Sequence, residues 1–555
     1  MFYSRYVSEL QPGVNIYGYV FAEHGVGEEV RHLVRIARQA GLDFAVLPYT
    51  ETFSRQAVRF EDLGTRESVY DVNLICVNAD TLPQFVDHVG PELLAGRYNI
   101  GMWAWEVEEL PEEMARSARF LDEIWSCSRF SAQAIARSVP CPVHPLPLPV
   151  SISPPVAGQR KDLGLSEDFL FLFCFDFNSI CERKNALAVI AAFKRAFRPG
   201  QGARLLIKTI NGNDFQPQLE RLYAAALDHP DVMVVDGYLQ SQEQRVLMDA
   251  CDAYVSLHRS EGFGFTMAEA MALGKPVIAT GYSGNMDFMT KENSYLVPFE
   301  RVRVQEGCDP YPRTAYWAEP SVEAAADLMR QVFEHPGEAR EKAARARRDI
   351  QLLHTTEAKA AFVVERLSAI RKLPWRRERR AECYSVMGFG DSAAPPGSMA
   401  RNKLAKSREL HVSRPHRAFD SLKHLLETGL TAVTEDNVVA DLICGSLDGA
   451  ELDPEGRVGI WGWAYDPRTN TPASAIALLL NERQIPAQIL VDNDRPDVAA
   501  YLGNPDLRSV GWSFLVPSRL LANGENCFEA YALLRDGRFG KIAGNGGGGV
   551  SVQTG

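Results

Sequence analysis

Two textures of apolar and polar positions divide the chain. In the first, short apolar runs alternate with stretches of helical period. Residues 14–21 form a first predicted strand, the polar loop EHGVGE (residues 23–28) follows, and a helix is expected from about 29 to 40, with Val30, Leu33, Val34 and Ile36 inward. Further strands are predicted at 44–47, 72–77 and 98–103, and the proline-dense residues 140–149 read as a connection. After residue 155 the pattern restarts: strand 169–175, helix 185–197, strand 204–207 ending at Lys208, strand 231–236 and helix 242–250. Repeated β–α alternation predicts two doubly wound parallel sheets, an α/β chain. From about residue 441 the texture becomes short alternating runs split by turns, at 458–464, 475–480, 485–491, 511–516 and 527–534, which predicts a β-sandwich.

Residues 252–287, DAYVSLHRSEGFGFTMAEAMALGKPVIATGYSGNMD, concentrate the chemistry. The pattern gives a strand at 254–257, a glycine-bearing loop, a helix at 265–273, and a second strand at 277–279 followed by the SGN loop. Gly274 and Pro276 end the helix. Loops at the carboxyl edge of an open parallel sheet are where ligands sit. Glu261 precedes the helix and Glu269 lies within it, and the amides of Gly264, Phe265 and Thr266 would suit an anion. The strand–loop–helix at 14–40 is also Rossmann-like, and its G-V-G makes Gly25 and Gly27 candidate nucleotide contacts.

Length and composition narrow the class. A chain of 555 residues exceeds one core, and 46% hydrophobic with 23% charged residues is an ordinary soluble composition. A net charge of −12 argues against nucleic acid as a partner. No apolar run spans a bilayer, and MFYSRYVSEL has no apolar leader core. Ten cysteines without a C-x-x-C pair fit reduced thiols, so a cytoplasmic protein is expected.

The run SEGFGFTMAEAMALGKPVIAT resembles the E-x7-E signature of retaining GT-B glycosyltransferases, most closely glycosyltransferase family 4. NIGMWAWEVEELPEEM and FLDEIWSCSRFSAQAI resemble the N-terminal half of family members that act on bacterial surface polysaccharides. The resemblance covers roughly residues 14–370. It implies two Rossmann-like domains facing a cleft: an acceptor domain at 1–150 and a nucleotide-sugar donor domain at 151–372 with a return helix. Glu261 would then hold the donor sugar and Glu269 the ribose hydroxyls, while Gly264, Phe265, Thr266 and Asn285 would line the nucleotide site. His24, Trp105 and Glu106 would face the acceptor. Charge develops on the departing diphosphate, so fixed cations are required there. The family pairs an arginine and a lysine in this role. Here Lys184 matches the lysine, but Ser179 stands where the arginine is expected, and either Arg183 or, preferably, Lys208 replaces it. No Asp-x-Asp motif sits at a strand end, so no metal and no cofactor beyond a GDP-, UDP- or dTDP-sugar is expected.

Residues 371–418 hold twelve Lys/Arg against four Asp/Glu, a net +8 in a chain of −12. That makes 373–440 a basic linker, either simply solvated or attracted to the anionic face of the inner membrane. The module at 441–555 resembles an accessory domain of bacterial surface-glycan proteins. Trp461, Trp463 and Trp512 are either its core or a sugar-stacking platform, Asp492-Asn493-Asp494 is either a short acidic turn or a calcium site, and an unstructured glycine-rich tail is expected. The expected function is transfer of a hexose or deoxyhexose to a growing surface glycan, free or lipid-linked, such as a lipopolysaccharide O-chain or capsule. The rivals are another GT-B enzyme (phosphorylase or epimerase) and an inactive carbohydrate-binding scaffold.

Overall fold

In a computed structural model, residues 10–150, 167–373, 438 and 443–554 are described, apart from residues 53, 57, 66, 240, 453–457, 474, 482, 492–494, 505–506, 508–509, 517–520, 535–537 and 545–549. The basic linker from residue 374 onward and the Asp492–Asp494 turn therefore lie outside the described residues. The chain clusters into two compact units. One joins Met1–Ile152, His258–Ser321 and Gly337–Val412; the other joins Ser153–Leu257, Val322–Pro336 and Ser413–Gly555.

The first sheet contains β1 (Gln11–Gly18), β2 (Phe44–Pro48), β3 (Tyr70–Cys76), β4 (Tyr98–Trp103), β5 (Glu123–Ser126) and β6 (Val143–Pro145), in the order β2-β1-β3-β4-β5-β6. Every pairing in it is parallel. Helix α1 (Gly25–Gln39) follows β1, α2 (Leu82–Val89) follows β3 and α3 (Arg129–Ala136) follows β5. β1, β3 and β4 carry buried asparagines in register, Asn15, Asn73 and Asn99. Their amides bond in a ladder, Asn15 to Asn73 and Asn73 to Asn99, each at 2.8 Å. A polar run inside a fully buried sheet is tolerable only because it is satisfied in this way. The strand order reverses between β1 and β3, so the loops after them flank the switch point where such sheets bind ligands.

The second sheet contains β7 (Phe169–Asp176), β8 (Ala203–Ile210), β9 (Val232–Asp236), β10 (Ala253–Ser256), β11 (Val277–Thr280) and β12 (Tyr295–Val297), in the order β12-β11-β10-β7-β8-β9. Its helices are α4 (Ala186–Ala196), α5 (Gln216–Ala226), α6 (Ser241–Ala250) and α7 (Phe265–Ala272). An antiparallel pair, β13 (Phe299–Arg303) and β14 (Tyr316–Pro320), precedes α8 (Val322–Glu334). The expected long return helix is two helices, α9 (Pro336–Leu353) and α10 (Thr356–Lys372). The break is capped by Thr355, whose hydroxyl accepts from the Ala358 amide. α10 is tied to β5 by Arg366, which grips the buried Glu123 carboxylate with both nitrogens.

The C-terminal module has two mainly antiparallel sheets. One is built on β15 (Cys444–Leu452), β16 (Val458–Asp466), β17 (Thr471–Pro472), β20 (Gly511–Val516) and β23 (Ala543–Gly544). The other has β18 (Ala475–Leu480), β19 (Arg483–Leu490), β21 (Gly524–Leu533), β22 (Phe539–Lys541) and β24 (Val550–Thr554). The expectation of an unstructured tail is corrected at 550–554, where β24 pairs antiparallel with β21. Helix α11 (Pro496–Leu502) supplies Val498 to a small cluster with Leu507 and Val510, against which Trp463 packs. Trp512 is fully buried over Gly462, whereas Trp461 is 38% exposed beside Gly449. The strand alternation puts Trp461 and Trp463 on one face of β16 and Trp512 on the other, so the three cannot form a single platform.

Candidate functional site

The Glu261 loop is built from its backbone upward. β10 ends at Ser256, and residues 257–264 lead into α7, whose N-cap Gly264 sits at φ 96°. A side chain there would be strained and would meet the Met267 side chain, so glycine is required. Helix geometry leaves the first amides of α7 without intrahelical acceptors. Phe265 and Thr266 are half-buried, and Glu269 is on the exposed side of the helix. The SGN loop packs directly on this segment. A Cβ on Gly284 would lie 2.0 Å from the Gly262 carbonyl oxygen, so glycine permits the close approach. Gly284 donates its amide to the Glu261 carbonyl (2.9 Å), and the Glu261 amide donates to Ser283 Oγ (2.8 Å). Asn285, expected at the nucleotide, is fully buried: its amide donates to Thr280 O (2.9 Å) and its oxygen faces His258 Nε2 at 3.1 Å. In this geometry Asn285 shapes the loop.

The acceptor-side candidates meet this loop within the same unit. Glu106 follows β4, and its carbonyl accepts from the Ser260 hydroxyl while its carboxylate accepts from Tyr311 OH at 2.9 Å. Trp105 is buried against Tyr311, and its indole N–H donates to Glu109 O (3.0 Å). That leaves it no free ring face of the kind a stacking sugar requires. Glu108 accepts from Tyr282 OH (3.0 Å) and from Arg301 (2.7 Å).

His24 turns out to be the N-cap of α1, with Nδ1 accepting the Gly27 amide at 3.1 Å. Burial, with Arg31 second, lowers its pKa to about 4, so the ring is neutral and carries its proton on Nε2. Gly25 and Gly27 thus lie in the first helical turn instead of a preceding loop. Gly25 is exposed, and the Gly27 amide is committed to His24. A Cβ on Gly27 would press on the carbonyls of Ala22 and Tyr19.

Glu29, which no sequence motif marks, is 3% exposed, with Oε2 lacking any partner. Burial, reinforced by the charge of Glu106, raises its pKa to about 8. A carboxyl one turn into an apolar helix face reads from sequence as a solvated position. Only the packed structure shows it buried.

In the other unit, the lysine loop follows β7. Ile180 adopts φ 64°, ψ 108°, a strained conformation for a β-branched residue, and its carbonyl accepts the amides of Arg183 and Lys184. Lys184 is half-buried at the end of a one-turn helix, Cys181–Lys184. Arg183 is buried, and its Nε donates to Ser179 O (3.2 Å). Lys208 is 3% exposed, and its ammonium donates to Thr209 O (2.7 Å) and to Gly237 O. Burial lowers its pKa to about 8. Its charge is engaged by main-chain carbonyls that join the ends of β8 and β9. Among the described residues no group of three or more His, Cys, Asp or Glu side chains is arranged to hold a metal. None of the described helices is long and apolar enough to cross a membrane.

Fold and family match agree on the class. Residues 159–349 match the model of the family described as glycosyl transferases group 1. Among solved structures, sucrose-phosphate synthase from Thermosynechococcus elongatus aligns with a TM-score of 0.50 at 15% identity, covering 65% of this chain and 99% of that one. Anabaena HepE in complex with UDP and glucose aligns at 0.47 and 15%, over 64% of this chain and 100% of that one. No curated protein sequence matches the chain. The fold is α/β of the GT-B type, followed by a β-rich module. The matched region contains Lys184, Lys208, Glu261 and Glu269 and supports a glycosyltransferase.

Proposed function

We propose that the protein is a retaining glycosyltransferase that takes a hexose or deoxyhexose from a nucleoside diphosphate sugar and adds it to a bacterial surface glycan. The observation that carries this reading is the Glu261 loop. Within a region matching group 1 glycosyl transferases, its main chain is fixed at both N–H and C=O just before a helix N-terminus. In this reading Glu261 binds the donor sugar, Glu269 the ribose, and the amides of Gly264, Phe265 and Thr266 the diphosphate. As the diphosphate leaves, negative charge grows on its oxygens, and helix amides and a fixed cation stabilise it without reorganising. Lys184 is the preferred cation, because the ammonium of Lys208 is occupied by two carbonyls. Lys208 then acts by joining two strand ends. The choice of a surface glycan as acceptor is supported by the sequence resemblance of residues 99–114 and 120–135. No metal is required.

The test is nucleoside diphosphate release from UDP-glucose, UDP-N-acetylglucosamine, GDP-mannose and dTDP-rhamnose, with and without EDTA. Slow hydrolysis of one donor, unchanged by EDTA and giving the retained anomer by NMR, is expected. Absence of release from all four contradicts the reading. Loss in EDTA with rescue by manganese contradicts its metal independence.

A further inference from the structure

Ser283 occupies a backbone conformation that serine avoids. Its φ of 79° and ψ of −146° lie in a region open essentially to glycine. Its side chain explains the choice. The hydroxyl is buried, accepts the Glu261 amide at 2.8 Å and donates to the carbonyl of Tyr282. The next residue, Gly284, donates to the Glu261 carbonyl. Two consecutive residues of one loop therefore hold both polar groups of the Glu261 backbone.

The loop is itself fixed from two sides. His258 Nε2 lies 3.2 Å from Tyr282 O and 3.1 Å from Asn285 Oδ1. Tyr282 OH donates to Glu108, which Arg301 also holds. A glycine at 283 would relax the backbone yet leave the buried Glu261 amide without its acceptor. An alanine would lose the acceptor and keep the strain.

We infer that Ser283 is a positioning residue for Glu261: its hydroxyl fixes the main chain from which the carboxylate projects, and local backbone strain is tolerated for that purpose. This rests on the reading of Glu261 as the group that holds the donor sugar. The mechanism is geometric, since a misplacement of about 1 Å at a reacting centre can cost about a hundredfold in rate.

The experiment measures kcat, donor KM and melting temperature for Ser283→Gly and Ser283→Ala, using whichever of the four nucleotide sugars the wild type hydrolyses fastest. Both variants are expected to lose at least about tenfold in kcat, with donor KM changing less than about threefold. Melting temperature is expected to separate them: Ser283→Gly near wild type, where relief of strain offsets the lost acceptor, and Ser283→Ala clearly below it. Rate then follows the hydroxyl and stability follows the backbone. Hydrogen exchange at the Glu261 amide should quicken in both. Wild-type kcat in Ser283→Gly overturns the inference, as does a rate loss that simply tracks melting temperature. Glu261→Ala separates the two levels. If it keeps wild-type kcat, the underlying site reading fails; if it is inactive while Ser283→Gly is unimpaired, only the positioning role fails.

Discussion

Glu29 keeps its proton at neutral pH because ionising it would place an unpartnered charge in a buried site already facing Glu106. The sign of the consequence is definite. The unfolded chain releases this proton near the ordinary value of 4.5, and the folded chain near about 8. Between those values the folded state binds more protons than the unfolded one, so stability falls as pH rises. Glu29→Gln removes the ionisation. Its stability relative to wild type should therefore improve steadily from about pH 4.5 to about 8, by up to a few kcal/mol, and level off above that. Denaturant melts of both proteins across this range check the slope; a pH-independent difference contradicts it. The groups facing this site from other elements are Cys76 at the end of β3, Cys127 just after β5, and Glu106 after β4. The two thiols are pushed upward by burial, so they stay neutral across the same window.

At the scale of elements, the SGN loop and the glycine loop before α7 are packed at backbone contact. Gly284→Ala forces a Cβ onto the Gly262 carbonyl, and because the atoms it meets are all main chain, a costly backbone shift must follow. A loss of about 1–3 kcal/mol is expected, together with reduced activity, because the Glu261 carbonyl loses its geometry along with the contact. Thermal unfolding reads the first effect and donor hydrolysis the second; an unperturbed protein would count against the packing described. Much of this region was legible in sequence. β10, α7, Gly274 as the helix-ending residue (φ 75°) and β11 all lie within a residue or two of their expected places. Apolar periodicity and helix-stop residues are local signals, and here they agree. Elsewhere the local signals misled. α1 begins four residues early because a histidine caps it, and histidine is not among the usual caps. The pair β13–β14 was missed because β13 (FERVR) is largely exposed and charged, and β14 buries the adjacent Trp317 and Ala318, so neither strand shows a clean alternation. The site residues were legible only as types and positions. That Asn285 and Trp105 face inward, and that the ammonium of Lys208 is spent on carbonyls, depends on tertiary neighbours that no window of sequence contains.

At the scale of the molecule, the chain combines a GT-B α/β body with a β-rich C-terminal module, and the module is packed through its own core. Within the second unit, Phe514 of β20 lies 6.0 Å from Tyr223 of α5, ring centroid to centroid, which ties module and α/β elements together. The region matching group 1 glycosyl transferases lies in the body and carries the Glu261 loop, and the proposed function places the chemistry there. The proposed role of this loop is to bind the sugar of a nucleoside diphosphate donor. Its most direct test compares wild type, Glu261→Gln and Glu261→Ala for nucleoside diphosphate release from the preferred donor, with melting temperature recorded for each. Both variants are expected to fold with a melting temperature near wild type and to lose at least about a hundredfold in kcat. Full release by Glu261→Ala in a folded protein would contradict this role.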